Sequence, residues 1–216
     1  FLDYGMALRA VSLGYGERSV ADAAMAEILR GNNLTRPSLV ELNAAELMTE
    51  LVPSVEMVKF AKNGSTVTTA ALKVARAYTG RKYIARCAQH PFFSYDDWFI
   101  GDTALKRGIP DEHASLTLNF NYNDIASLNT LFEQYPNQIA GVILEPATSA
   151  HPENNFLQRV KDVCHKNGAL FILDEMITGF RWDLGGGQIY YDVQPDLCTF
   201  GKAMANGFSV AALGGK

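Results

Sequence analysis

The chain has 216 residues, 48% hydrophobic and 19% charged, enough apolar content for a sizeable core and too much for a disordered chain. Its 19 basic and 23 acidic side chains leave a net charge of −4 without a dense basic block, which argues against a sequence-independent grip on nucleic acid. No apolar run approaches the roughly 20 residues needed to span a bilayer, and no signal peptide is visible.

A first helix is expected from Val20 to Leu29, stopped by Gly31. Ser38-Leu39-Val40-Glu41 reads as a capping box, whose hydroxyl and carboxylate can each satisfy an orphan amide of the first turn. The helix it opens runs to Leu51 and must end near Pro53. Val67, Ala70, Ala71, Val74, Ala75 and Tyr78 recur at helical spacing, which predicts a helix from Val67 to Tyr78 ended by Gly80. Asp124 can cap a helix through Phe132. Phe156, Leu157, Val160, Val163 and Cys164 line another, closed by Asn167-Gly168. Between these lie nearly continuous apolar runs at Met57–Ala61, Tyr83–Ala85, Leu116–Phe120, Ile139–Leu144, Ala169–Leu173 and Leu197–Phe200. Their length and β-branched content predict strands buried on both faces. Strands alternating with helices specify an α/β fold, a mainly parallel sheet with helices on both faces.

In such sheets ligands bind beyond the carboxyl ends of the strands. After the first run comes Lys62-Asn63-Gly64-Ser65-Thr66, leading directly into a helix. A glycine, two hydroxyls and a helix N-terminus can make a phosphate cup, although a Gly-Ser turn also serves as a plain cap. Glu145-Pro146 follows the fourth run, and Asp174-Glu175-Met176-Ile177-Thr178-Gly179 follows the fifth. A carboxylate ending a buried strand needs a partner: backbone amides, a metal, or a protonated heterocycle nitrogen. After the sixth run Gly201-Lys202-Ala203 places a lysine among small residues, where partial desolvation would lower its pKa and favour Schiff-base chemistry. Phosphate cup, strand-end aspartate and later strand-end lysine together match what pyridoxal phosphate requires.

These motifs resemble those of the class III pyridoxal-phosphate aminotransferases, most closely the glutamate-1-semialdehyde aminomutase-like branch. The likeness lies in Phe1-Leu2-Asp3-Tyr4-Gly5-Met6, Asn63-Gly64-Ser65-Thr66, Ala75-Arg76-Ala77-Tyr78-Thr79-Gly80-Arg81 and Ile143-Leu144-Glu145-Pro146. It continues in Leu173-Asp174-Glu175-Met176-Ile177-Thr178-Gly179-Phe180-Arg181 and Pro195-Asp196-Leu197-Cys198-Thr199-Phe200-Gly201-Lys202. The resemblance implies the large domain of a fold type I transferase, and an enzyme that moves an amino group between an amino compound and a carbonyl acceptor. It implies Lys202 as the aldimine lysine and catalytic base, and Asp174 as partner of the pyridine nitrogen. Met176 would lie against the ring, Gly64, Ser65 and Thr66 at the phosphate, and Glu145 near the substrate side. An intramolecular aminomutase acting on glutamate-1-semialdehyde is the alternative within the branch. A non-catalytic binding module and a nucleotide-binding α/β domain remain open from other classes.

This sequence departs from the family at Thr66, where an acidic residue is common, and in the loop Gln89-His90-Pro91-Phe92-Phe93-Ser94-Tyr95. Counting back from Asp97-Trp98 selects Phe92 as the ring-stacking residue; counting forward from Arg81 selects Gln89-His90. Phe92 is the preferred choice. Residues 1–52 are expected to be an N-terminal segment and 53–216 the cofactor-binding large domain, with the small domain absent. The chain opens without methionine and closes at Gly214-Gly215-Lys216, so it is expected to belong to something longer. Cys87, Cys164 and Cys198 are scattered and odd in number, which predicts buried free thiols in a reducing compartment, the cytoplasm. No metal site is expected, nor a membrane or nucleic-acid partner, and the resemblance implies a homodimer.

Overall fold

A computed structural model describes residues 1–31 and 34–216. The apolar runs become strands β1 (Met57–Ala61), β2 (Tyr83–Cys87), β3 (Thr117–Phe120), β4 (Ile139–Leu144), β5 (Leu170–Asp174) and β6 (Leu197–Phe200). A further strand, β7 (Ala211–Gly215), follows Lys202. All seven join one sheet in the order β1-β7-β6-β5-β4-β2-β3. Only β7 runs against its neighbours, β1 and β6; the other pairings are parallel.

The described residues include five helices of ten or more residues, α1 (Arg18–Arg30), α2 (Leu39–Leu51), α3 (Gly64–Thr79), α4 (Ile125–Gln134) and α5 (Phe156–Lys166), of which α2 to α5 pack on the sheet while α1 buries no residue. The central strands are buried on both faces, so successive residues enter different cores. Val142, Leu144, Phe171 and Leu173 pack with Leu128, Phe132, Phe156, Leu157 and Val160 of α4 and α5. Ile143 and Ile172 pack on the other face with Val67, Ala71, Leu72 and Ala75 of α3. Met48 and Val52, at the end of α2, cover Cys198, Phe200 and Ala212.

The expected punctuation is present. Asn63, Asp124 and Ser38 accept hydrogen bonds from the amides of Thr66, Ser127 and Glu41 at their helix starts. Gly80 ends α3 in the left-handed conformation, φ 69°, which costs a glycine nothing. Three differences from expectation have physical causes. Strand β1 is partly exposed rather than buried, because it is an edge strand paired only with β7. The turns Asp97–Ile100, Asp111–Ala114 and Gly187–Tyr190 are too short to show a helical period. Met6–Arg9 form one turn with φ between 46° and 67°, a left-handed conformation that costs an L-residue about 1–2 kcal/mol. All three cysteines are buried and free. Among the described residues no helix is long and apolar enough to cross a membrane.

Candidate active site

The sheet register brings the predicted strand ends together. Leu144 pairs with Leu173, so Glu145 leaves β4 beside Asp174 at the end of β5. Asp174 pairs in turn with Thr199 of β6, from which the chain passes through Gly201 to Lys202. Thr199 Oγ1 and the Met176 amide both donate to Asp174 Oδ1, each at 3.0 Å. Those bonds fix the carboxylate and leave Oδ2 without a hydrogen-bond donor among the described residues. Asp174 is 1% exposed, and burial pushes its carboxyl up to about 7 against the lowering by these two donors and Lys202.

Lys202 opens a short 3₁₀ turn, Lys202–Ala205, with φ 48°. Non-glycine residues hold that conformation only where their surroundings impose it, and such positions cluster at functional sites. Burial lowers the lysine's pKa, while Asp174 and Glu145 oppose the shift. Glu145 is pushed up to about 8, by burial first and the Asp174 charge second. Burial therefore drives lysine and carboxyls toward their neutral forms until a charged ligand arrives.

At the end of β1 Asn63 Oδ1 accepts from both the amide and the hydroxyl of Thr66, at 3.0 and 3.1 Å. Thr66 is thereby turned toward the cap. The Gly64 and Ser65 amides, ahead of the first helical bond, are the free donors. Ser65 Oγ accepts from the Tyr95 amide at 3.0 Å, which leaves its proton available. Met176 is 8% exposed and lies between the turns at Gly64 and Gly201: a Cβ on Gly64 would meet its sulfur at 3.0 Å, and one on Gly201 at 2.7 Å.

Phe92 is 43% exposed, with its ring edge-on to Tyr95 and Phe99. His90 is 2% exposed, and its Nδ1 accepts from the Glu145 amide at 2.9 Å. That bond assigns the proton to Nε2, which is buried with no hydrogen-bond partner among the described residues. Burial lowers the imidazole to about 4, so the ring is neutral.

Three supporting groups carried no readable signal. Thr199 is an inconspicuous strand residue until it is seen bonded to Asp174. Glu175 is fully buried and accepts from Thr178 Oγ1 and from the amides of Gly187 and Gln188, the last two at 2.7 and 2.8 Å. It fastens the 185–188 loop to the end of β5. Glu175→Ala is expected to strand these donors and cost about 3 kcal/mol, read as a lower denaturation midpoint; an unchanged midpoint would contradict the clamp. Asn206 holds the N-terminal segment to the lysine loop, accepting from the Leu13 amide at 2.9 Å and donating to Gly14 O at 3.1 Å.

The raised carboxyls predict a pH dependence. A folded-state pKa above the unfolded value means that the folded chain binds more protons between the two values. Stability then falls as pH rises through that window. The ligand-free protein should lose roughly 2 kcal/mol or more between about pH 5 and 8, and Glu145→Gln should flatten that slope. Equal slopes in urea melts of both proteins would remove Glu145 as the cause.

A mostly parallel seven-stranded sheet, with a buried aspartate and a strained lysine at adjoining strand ends, defines a large domain of the fold type I pyridoxal-phosphate-dependent transferases. The chain belongs to the class-III aminotransferase family, whose model matches residues 1–216. It is 39% identical, over its full length and 54% of the relative, to glutamate-1-semialdehyde 2,1-aminomutase of Alkaliphilus oremlandii. It superposes on an omega-transaminase from Sphaerobacter thermophilus with TM-score 0.91 and 30% identity, covering 100% of this chain and 53% of that one. For the Sphingopyxis sp. MTA144 FumI protein in its PLP internal aldimine form the TM-score is 0.92 and the identity 32%, with coverage of 100% and 53%. The chain thus spans about half the length of the curated relatives it matches.

Proposed function

We propose that this chain is the cofactor-binding half of an enzyme that uses pyridoxal 5'-phosphate to move an amino group between an amino compound and a carbonyl acceptor. The observation that carries the reading is that Asp174, whose hydrogen bonds among the described residues all go to Oδ1, ends β5 beside β6, the strand from which the chain passes to Lys202. The residues fit the cofactor. Lys202 would hold its aldehyde carbon, Asp174 Oδ2 its ring nitrogen, and the Gly64 and Ser65 amides with the Ser65 hydroxyl its phosphate. Thr66 supports that turn through Asn63. Met176 would lie against the ring. We assign the other ring face to His90 rather than Phe92, because His90 is the buried aromatic bonded to Glu145. Residues 53–216 form the cofactor domain in this reading, and residues 1–52 a preceding segment.

When bound, pyridoxal phosphate supplies an electron sink that acidifies the proton on the amino-bearing carbon. Lys202 Nζ takes that proton and returns it at a neighbouring position, a task suited to an amine whose pKa burial has lowered. Asp174, whose carboxyl burial raises to about 7, would hold the protonated ring nitrogen by opposing its positive charge, and that charge would in turn favour the carboxylate. Glu145, at the same rim, orients the substrate.

A second reading, intramolecular transfer within glutamate-1-semialdehyde, is favoured by the 39% identity to an aminomutase. We also propose a homodimer, supported by the wholly unburied α1, where Met25, Ile28 and Leu29 are 57%, 51% and 80% exposed. A cytoplasmic location is proposed on the three free thiols. The test is a visible spectrum with added pyridoxal phosphate, followed by borohydride reduction and peptide mapping. A band fixed at Lys202 supports the reading; label on another lysine refutes it.

A further inference from the structure

Three hydroxyl residues at the start of α3, Ser65, Thr68 and Thr69, are spaced at three and four residues and so share one helix face. All three meet the same loop, residues 93–98. The Tyr95 amide donates to Ser65 Oγ at 3.0 Å, and Thr68 Oγ1 donates to Phe93 O at 2.9 Å. Thr69 sits at the centre of the contact. Its Oγ1 accepts from the Trp98 indole Nε1 at 2.8 Å and donates to Asp96 Oδ2 at 2.5 Å. Ser94 is fully buried beside it: Ser94 Oγ accepts from the Asp96 amide at 3.0 Å and lies 3.3 Å from Thr69 Oγ1.

The loop is thus fastened on both sides of the Tyr95 amide, by Phe93 and Ser94 before it and by Asp96 and Trp98 after it. What this holds in place is a backbone donor, since the Tyr95 ring itself is 79% exposed. A serine hydroxyl carries one proton and two lone pairs. In a first helical turn it can bond back to its own backbone. With the Tyr95 amide on one lone pair, Ser65 Oγ is committed as an acceptor on that side and keeps its proton for another group. The next residue shows the alternative: Thr66 Oγ1 spends its proton on Asn63 Oδ1 at 3.1 Å. Of two adjacent hydroxyls, one is consumed by the helix cap and the other is held open by the loop.

We propose that Thr69, Ser94 and Asp96 are positioning residues for the phosphate of the cofactor: by pinning the Tyr95 amide on Ser65 Oγ, they keep the Ser65 hydroxyl a donor. The inference rests on the pyridoxal-phosphate reading and deepens it, adding the 93–98 loop to the phosphate turn of α3. Each of the three acts through Ser65 rather than by contact. A hydroxyl oriented before the anion arrives loses less freedom on binding, so the gain is affinity for the phosphate group alone.

The test compares pyridoxal phosphate with pyridoxal, which lacks the phosphate, by titrating the Lys202-dependent visible band of the protein. Thr69→Val and Asp96→Ala should weaken pyridoxal phosphate roughly 5- to 20-fold and leave pyridoxal within about twofold. Ser65→Ala should weaken pyridoxal phosphate by at least as much, and Thr69→Val added to it should cost nothing further, because both act on one hydroxyl. Thr130→Val, at an exposed position of α4, serves as the neutral control. Asp96 is exposed, so Asp96→Ala decides the matter if Thr69→Val strands the Trp98 indole and fails to fold. Unchanged pyridoxal phosphate affinity in Asp96→Ala overturns the inference, as does an equal loss for pyridoxal, which marks general loosening. Full additivity of Ser65→Ala and Thr69→Val also overturns it. A Lys202-dependent band with no difference between parent and variants defeats this inference alone. No such band with either ligand defeats the amino-transfer reading and this inference with it.

Discussion

Lys202→Ala is expected to abolish amino transfer, lowering kcat by about four orders of magnitude or more, and to remove the visible band formed with pyridoxal phosphate. The magnitude follows from the two roles proposed for this one amine, holding the cofactor and moving the proton. No other described side chain could replace both. Lys62 and Lys59 lie at or in the edge strand β1, whereas Lys202 follows β6 beside the central Asp174. Lys202→Arg should fare no better, since a guanidinium neither attacks an aldehyde nor gives up its proton near neutral pH. An added small primary amine should restore part of the proton transfer in Lys202→Ala, because the surrounding cavity and Asp174 are untouched. Turnover retained by Lys202→Ala with the same substrates would remove the residue from the chemistry.

The parts that could be read in advance were those fixed by short-range rules. β4 and β6 match their apolar runs end for end, because strands buried on both faces are written as continuous hydrophobic stretches. Asn63, Asp124 and Gly80 announced their helix boundaries by chemistry that acts within a few residues. Asp174 and Lys202 were visible as polar residues ending apolar strands. What escaped depended on distant partners. Nothing local marks Thr199 as the donor to Asp174, or Glu175 as the anchor for Gly187 and Gln188. The left-handed turn Met6–Arg9 contradicts local propensity, and what holds it is Arg181, far along the chain. The loop around Phe92 was ambiguous by counting, because two reference points on either side gave two registers. The hydrogen bond from the Glu145 amide to His90 is the observation on which the assignment proposed above rests.

Asp174→Asn is expected to leave cofactor loading largely intact while slowing proton removal about 10²- to 10³-fold. The isosteric amide keeps an oxygen for the Met176 amide and the Thr199 hydroxyl, both of which now donate to Oδ1. With that oxygen so engaged, the amide nitrogen must take the Oδ2 position. There it presents N–H donors, which meet an unprotonated ring nitrogen and oppose a protonated one. Binding therefore survives through Lys202 and the phosphate turn, while the electron sink weakens because the ring nitrogen loses its proton. Folding should tolerate the change and gain from it at high pH: a buried carboxyl raised to about 7 disfavours the folded state once ionised, and an amide does not ionise. Three readouts separate these effects: the visible band, the primary isotope effect on a substrate deuterated at the amino-bearing carbon, and urea stability above about pH 8. A variant with an unchanged rate and isotope effect would mean that the ring nitrogen is held by another group. A variant that no longer loads cofactor would make Asp174 a binding anchor rather than an electronic one.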